Sequence, residues 1–252
     1  MISLLYKFQR HLRYYFLFSK REGIGGYRGV YPNFEAANKK LTGLKTGYDH
    51  PKVADWYAEG NTVIEIEDYP ILFWLSEAIK KSNTVFDFGG NMGQNYRTYL
   101  KKLTELKTVE WICYDLPNII KKAKTLNAPS NLSFTDNSKI SLQNWTFLCM
   151  GVFQYLEDIS PFYDVLKDKK PNQIIIAHLP LHQSQEFVST QNGGVTYYPF
   201  KVNKKDEFIN SILQCGYKLI DQWDDPISNC FIPFHPQESQ AKFYGFYFTK
   251  IL

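Results

Sequence analysis

The residues best placed to do chemistry sit where apolar runs end. In VFDFGGNMGQNY, residues 85–96, an acid, two glycines, an Asn and a third glycine separate a strand-like run from a helical pattern. Gly89 and Gly90 let the backbone turn tightly and let a ligand lie against it, and Gly93 opens the next helix. A nicotinamide site would begin GxGxxG directly after the strand, with pyrophosphate at the helix N-terminus. This loop reads DxGxNxG, and Asp87 would repel a pyrophosphate while suiting a cation. S-adenosylmethionine, which carries an ammonium and a sulfonium, fits that requirement.

Asp115 closes the run Trp111–Tyr114, 22 residues beyond Gly93, the distance at which the next strand tip comes alongside the first. It could accept from both ribose hydroxyls, N-cap the helix that opens at Pro117, or do both. At the third strand tip Asp136 and Asn137 are placed to meet the adenine amino group, although both are ordinary turn residues. Leu116, Asn91, Met150 and Gly151 complete the expected cofactor contacts.

Methyl transfer to a hydroxyl is helped by a base, worth roughly 10²- to 10⁴-fold. His178 and His182 emerge from the fifth strand of the alternating series, and His182, further out of the apolar run, ranks above His178. His235, in FIPFHP, is a third candidate that could reach over the site. Each could equally be a histidine hydrogen-bonded in loop packing. Cys149 lies at a strand tip but reads as a buried, inert thiol. The five histidines contain no HExxH pair and the four cysteines no CxxC, so no metal site is expected. Tyr155, Tyr197 and Tyr198 could stack on sugar rings.

These residues need a frame. From Thr84 strand and helix patterns alternate with short joins: strands at Val85–Phe88, Trp111–Asp115, Leu132–Phe134, Trp145–Val152 and Gln173–Leu179. Such alternation gives a parallel sheet covered by helices on both faces. Helices are expected over Gly93–Leu103, from Pro117, from Ser160, and after Asn203 with Asp206 as caps. Lys218–Trp223 and Lys242–Ile251 have no helix between them and predict a terminal antiparallel hairpin. Gly23–Gly29 reads as a turn region, Asn33–Leu41 as a short helix capped by Asn33, and Gln183–Phe200 as an acceptor-binding flap.

Three strings, DFGGNMG at 87–93, CYDLP at 113–117 and FLCMGVFQYLED at 147–158, resemble the motifs of class I S-adenosylmethionine-dependent methyltransferases. That resemblance covers roughly residues 68–252. GGYRGVYPNFEAANKK, GYDH and the late FYGFYF are similar, over nearly the whole chain, to a methyltransferase family of bacterial surface-polysaccharide loci. It implies an α/β, Rossmann-like fold with a mostly parallel seven-stranded sheet, S-adenosyl-L-methionine as cofactor, and no established acceptor. Asn91 replaces the middle glycine of the first motif, and Asn tolerates left-handed backbone. The expected function is O-methylation of a small or glycan-related acceptor. The alternatives are a cofactor-binding protein that has lost catalysis and, more remotely, a nicotinamide oxidoreductase.

At 252 residues, 44% apolar, the chain can bury one substantial core, expected as a methyltransferase domain over 68–252 with a helical extension over 1–67. The net charge of +4 is local. Lys7, Arg10, Arg13, Lys20 and Arg21 occur with no acid in residues 1–21, leaving 24 basic against 25 acidic groups elsewhere. A neutral body argues against nucleic acid as a partner. The basic, aromatic N-terminal segment could rest as an amphipathic helix on an anionic membrane, or pack on its own domain or a second subunit. Scattered cysteines and the lack of an 18-residue apolar run point to a cytoplasmic protein, at most resting on the inner face of the membrane.

Overall fold

The computed structural model describes residues 2–19, 24–44, 47–58, 62–138 and 141–251. Lys20 and Arg21, two of the N-terminal cations, lie outside the described residues. The chain opens with α1 (Ile2–Leu17), strand β1 (Ile24–Tyr31) and three helices, α2 (Phe34–Lys40), α3 (Pro51–Ala58) and α4 (Asp68–Ala78). Five strands follow: β2 (Thr84–Phe88), β3 (Glu110–Tyr114), β4 (Leu132–Thr135), β5 (Trp145–Met150) and β6 (Gln173–His182). Helices α5 (Gln94–Tyr99), α6 (Pro117–Ala123) and α7 (Ser160–Asp168) lie between them. Next come β7 (Phe187–Gly193), β8 (Tyr197–Lys204), α8 (Lys205–Gln214), β9 (Tyr217–Asn229) and β10 (Lys242–Lys250).

Strands β4, β3, β2, β5 and β6 pair in parallel in that order, and β10 adds antiparallel to β6 and to β9. This is the expected seven-stranded sheet with a terminal hairpin. Because side chains alternate across a strand, each strand feeds two cores. Phe86, Phe147, Ile174 and Phe246 pack with Phe162 and Leu166 of α7 and with Phe208 and Ile212 of α8. Their neighbours Val85, Leu148, Ile175 and Tyr247 pack on the other face with Ile71 and Leu75 of α4 and with Tyr96 and Tyr99 of α5. Burial on both faces is why β5 is almost wholly apolar.

A second antiparallel sheet, β1–β7–β8, joins the first where β8 pairs with the end of β6, Leu181 with Asn203 and His182 with Lys204. It corrects two readings. The expected turn region at Gly23–Gly29, of which Gly23 lies outside the described residues, is strand from Ile24 onward, and Gln183–Phe200 is a hairpin rather than an irregular flap. Strand β7 escapes a hydropathy reading because Ser189, Thr190 and Asn192 are buried polar residues. They stay satisfied by donating to main-chain oxygens, Ser189 to Gly29 (2.8 Å), Thr190 to Arg28 (2.7 Å) and Asn192 to Phe18 (2.9 Å). Helix α5 is also shorter than expected. Asn203 belongs to β8, and α8 starts after Lys204 without a side-chain cap. Asn33 does cap α2, accepting from Ala36 N at 2.9 Å. All four cysteines are free, Cys113, Cys149 and Cys230 being buried.

Candidate functional site

A cleft of about 380 Å³ opens at the carboxyl ends of β2, β3 and β5, where open α/β sheets bind ligands. Its floor is the loop after β2. Gly89 lies at φ +75°, and a Cβ there would stand 2.2 Å from Val152 Cγ2; one on Gly90 would stand 2.6 Å from the Asp87 carboxyl. No other residue type fits this loop without moving its neighbours. Asn91 takes the left-handed conformation, φ +54°, as an Asn can at little cost. Its Oδ1 is buried with no hydrogen-bond partner.

The Asp115 carboxylate lines the cleft and ties its two walls together: Oδ2 accepts from Asn91 N (2.9 Å) and Oδ1 from Leu116 N (2.7 Å). Burial pushes this carboxyl up to about 6, although the two N–H bonds pull it down. Each oxygen keeps a lone pair for a further donor. The N-cap alternative is answered by geometry. Leu116 occupies the cap of α6 without a side-chain bond, so Asp115 serves the loop.

Of the residues expected to contact cofactor, Gly89, Gly90, Asn91, Asp115, Leu116, Met150 and Gly151 line the cleft, and Asp87, Gly93, Asp136 and Asn137 do not. Asp87 is wholly buried beneath the loop, where Trp111 Nε1 (3.1 Å) and Asn95 Nδ2 (3.3 Å) donate to it. Burial pushes its carboxyl up to about 7 despite those bonds. Asp87 therefore supports the loop from below. Gly93, φ +75°, packs under Leu132 and starts α5. Asp136 and Asn137 are exposed at the end of β4, and Asn137 N donates to Thr135 Oγ1 at 3.0 Å.

The mouth of the cleft is aromatic. Tyr48 packs on Tyr57, Tyr155 and Tyr198, with ring centroids 5.9, 5.3 and 4.9 Å apart. Tyr48, Tyr57 and Tyr155 line the cleft, with Phe88, Gln94, Asn95, Tyr114, Val152 and Leu156. Tyr197 is elsewhere, its ring tilted against Phe18 at 5.2 Å. Tyr48 and Tyr57 were missed because their segments carry no chemical motif and reach the site only through tertiary packing. The sole signal for Tyr48 was the GYDH string.

The three histidines part company. His178 sits at a one-residue bulge in β6, φ +52°, where Ala177 and His178 oppose Gly245. Bulges re-aim a side chain, and here the His178 Cβ lies 3.7 Å from where a Cβ on Gly151 would be. Its Nδ1 is 2.9 Å from Asp225 Oδ2. Burial would raise the Asp225 carboxyl, but bonds from His178, Ser228 N and Ile227 N hold it well below the usual carboxylate range. An ionised carboxylate only accepts, so Nδ1 carries a proton, and the ring lines neither this cleft nor the second one, beside His182.

His182, ranked first from sequence, is not at this cleft. Strand β6 continues through it, and the ring is buried with both nitrogens engaged: Nδ1 accepts from Ser184 N (3.2 Å) and Gln185 N (3.3 Å), and Nε2 reaches Gln237 O (3.1 Å). It lines a second cleft, about 770 Å³, with Gln183, Ser184, Asp224, Asp225, Ser239 and Gln240 among its walls. His235 lines neither cleft, and its Nδ1 lies 3.8 Å from Glu238 Oε2. No group of three or more metal-ligating side chains occurs among the described residues.

No protein-family model and no curated protein matches the chain. Solved structures do. The Burkholderia thailandensis 1,6-didemethyltoxoflavin-N1-methyltransferase, with S-adenosylhomocysteine bound, superposes with a TM-score of 0.51 at 11% identity over 79% of this chain and 82% of its own. CcbJ methyltransferase from Streptomyces caelestis gives 0.52 at 11% over 79% and 96%. Human N-acetylserotonin methyltransferase, in complex with S-adenosylmethionine, gives 0.52 at 11% over 88% and 63%. At this identity the likeness establishes architecture: the chain has the Rossmann-like fold of the class I S-adenosylmethionine-dependent methyltransferases.

Proposed function

We propose that the protein transfers a methyl group from S-adenosylmethionine to an oxygen of a small, hydroxyl-rich acceptor related to surface glycans. The observation that carries this reading is the Asp115 carboxylate, held at the second strand tip by Asn91 N and Leu116 N with a lone pair to spare on each oxygen. A vicinal diol such as ribose matches two such acceptors. The residues present fit the adenosyl donor in two further ways: Gly89 and Gly90 allow close backbone approach, and Asn91 Oδ1 is a buried acceptor lacking a partner. When bound, the donor supplies a methyl carbon already activated by its sulfonium.

The chain's part is alignment, exclusion of water and removal of a proton. Tyr48, Tyr57 and Tyr155 wall the cleft and keep it dry. His178, beside Gly151, is the base, its Nε2 taking the acceptor's hydroxyl proton as Asp225 steadies the imidazolium through Nδ1. The second cleft shares Asp225 with this pair, and its amide, hydroxyl and carboxylate walls suit a polyol better than an aromatic acceptor.

Two measurements test the reading. Calorimetry with S-adenosylhomocysteine should show binding, and labelled methyl donor incubated with a cell extract should mark a glycan or glycan-lipid fraction. Failure of S-adenosylhomocysteine to bind, or label confined to protein, overturns it.

A further inference from the structure

We propose that α1 is a membrane-surface element: docked on the body along one side, it presents the other to an anionic lipid bilayer. The docking is extensive. His11 stacks on Phe231 and Phe234, both centroids 5.2 Å away, and accepts from Phe234 N at 3.0 Å. Tyr14 meets the edge of Phe231 at 4.8 Å. Arg28 clamps the end of the helix, donating to Tyr15 O (2.6 Å) and Ser19 Oγ (2.8 Å), and Asn192 Nδ2 holds Phe18 O at 2.9 Å. The helix is thus a fixed part of the molecule and its orientation is set.

The side turned away from His11 and Tyr14 carries large exposed apolar side chains, interrupted by Gln9, where a surface helix should be polar. Leu5, Leu12 and Phe16 follow one another at spacings of seven and four residues and so share one stripe. Leu5 is 61% exposed, Tyr6 72% and Phe16 63%. Arg13 is exposed beside this stripe, Lys7 is exposed at the edge of the docked side, four residues before His11, and residues 1–21 contain no acid to pair with either.

Charge selects the occupant. A second copy packed helix against helix would bring together two segments that carry only cations, with no carboxylate in either. An anionic bilayer answers the same cations with phosphate charge and takes up the bulky apolar side chains at its acyl boundary. Among the described residues no helix is long and apolar enough to cross a membrane, so the contact is peripheral.

The full chain is sedimented with vesicles of phosphatidylcholine alone and of two parts phosphatidylcholine to one of phosphatidylglycerol. We expect binding to the anionic vesicles, release by roughly 0.5 M salt as the Debye length shrinks, and at least a tenfold loss in Leu5→Asp/Phe16→Asp. Lys7→Gln/Arg13→Gln should lower the preference for anionic over neutral lipid. Because these side chains are exposed, both variants should keep the wild-type melting temperature and S-adenosylhomocysteine affinity. Equal or absent binding to the two vesicle types overturns the proposal, as does a dimer in light scattering that Leu5→Asp/Phe16→Asp splits, which would assign the face to a second copy.

Discussion

Replacing Asp115 by Asn asks whether the carboxylate at the second strand tip holds a ribose. The wild-type group accepts one backbone N–H on each oxygen, at 2.9 and 2.7 Å, and can take one more donor on each. An amide keeps the size but offers a single acceptor atom, so one loop N–H and one ribose hydroxyl each face an NH₂. Hydrogen bonds to a charged acceptor are worth about 1.5–3 kcal/mol. Losing one outright and weakening the other should cost about 2 kcal/mol, roughly 30-fold in Kd. Calorimetry with S-adenosylhomocysteine at pH 8 reads this directly.

The pH profile supplies a second readout. Burial places the Asp115 carboxyl at about 6, so the charged acceptor is present above that pH and lost below it. Wild-type affinity should therefore fall as pH drops from 7 to 5, and the Asn variant should be flat over the same range. Folding does not confuse the result. A carboxyl whose folded pKa lies above its unfolded value binds more protons in the native state, so its charge costs stability at neutral pH. The Asn variant removes that charge along with a hydrogen bond, and should melt close to wild type. A Kd within twofold of wild type at pH 8, or parallel pH profiles, would refute the ribose assignment.

Asp87→Asn tests the same linkage without a ligand. With its carboxyl at about 7 through burial, Asp87 costs stability above pH 7, and that cost disappears as pH falls toward the unfolded value near 4. The variant should melt a few degrees higher at pH 8 and lose the advantage by pH 5, as followed by calorimetric scans. His178→Ala should lower turnover about 10²- to 10⁴-fold with S-adenosylhomocysteine affinity unchanged. Asp225→Asn, which lets Nε2 carry the proton instead of Nδ1, should approach the same loss; full activity in either would remove the pair from the chemistry. His182→Ala empties the space of a buried ring and removes the acceptor of the Ser184 and Gln185 N–H groups, so it should lower the melting temperature by several degrees, the equivalent of about 1–3 kcal/mol. Melting at the wild-type temperature would show that those bonds contribute nothing.

How much of this was legible in the sequence follows from the distance over which each feature is specified. The donor half is encoded locally. Gly89, Gly90 and Asn91 follow their strand directly, and Asp115 closes the next one, so a reader needs only the period of the apolar runs and the backbone demands of a tight turn. Asp87 lies under the cleft and not on it because a strand-end acid can turn inward as readily as outward, and the indole of Trp111 that draws it in sits on a neighbouring strand; Gly93, Asp136 and Asn137 likewise stand off the lining.

The acceptor half is specified across the chain. The Ser189 Oγ to Gly29 O bond spans 160 residues, and neither partner strand has the apolar alternation that would announce it: three glycines interrupt β1, and buried hydroxyls and amides take the place of hydrophobes in β7. The surroundings of the two β6 histidines were equally hidden in the sequence. Position along β6 favours His182, which lies further from the apolar run, but the orientation of His178 depends on a bulge opposite Gly245 and on Asp225, 47 residues away. A site assembled by a bulge and a distant carboxylate leaves no local mark. The proposed mechanism accordingly rests on the histidine that strand spacing alone ranks second, and the contrast between His178→Ala and His182→Ala in turnover decides between them.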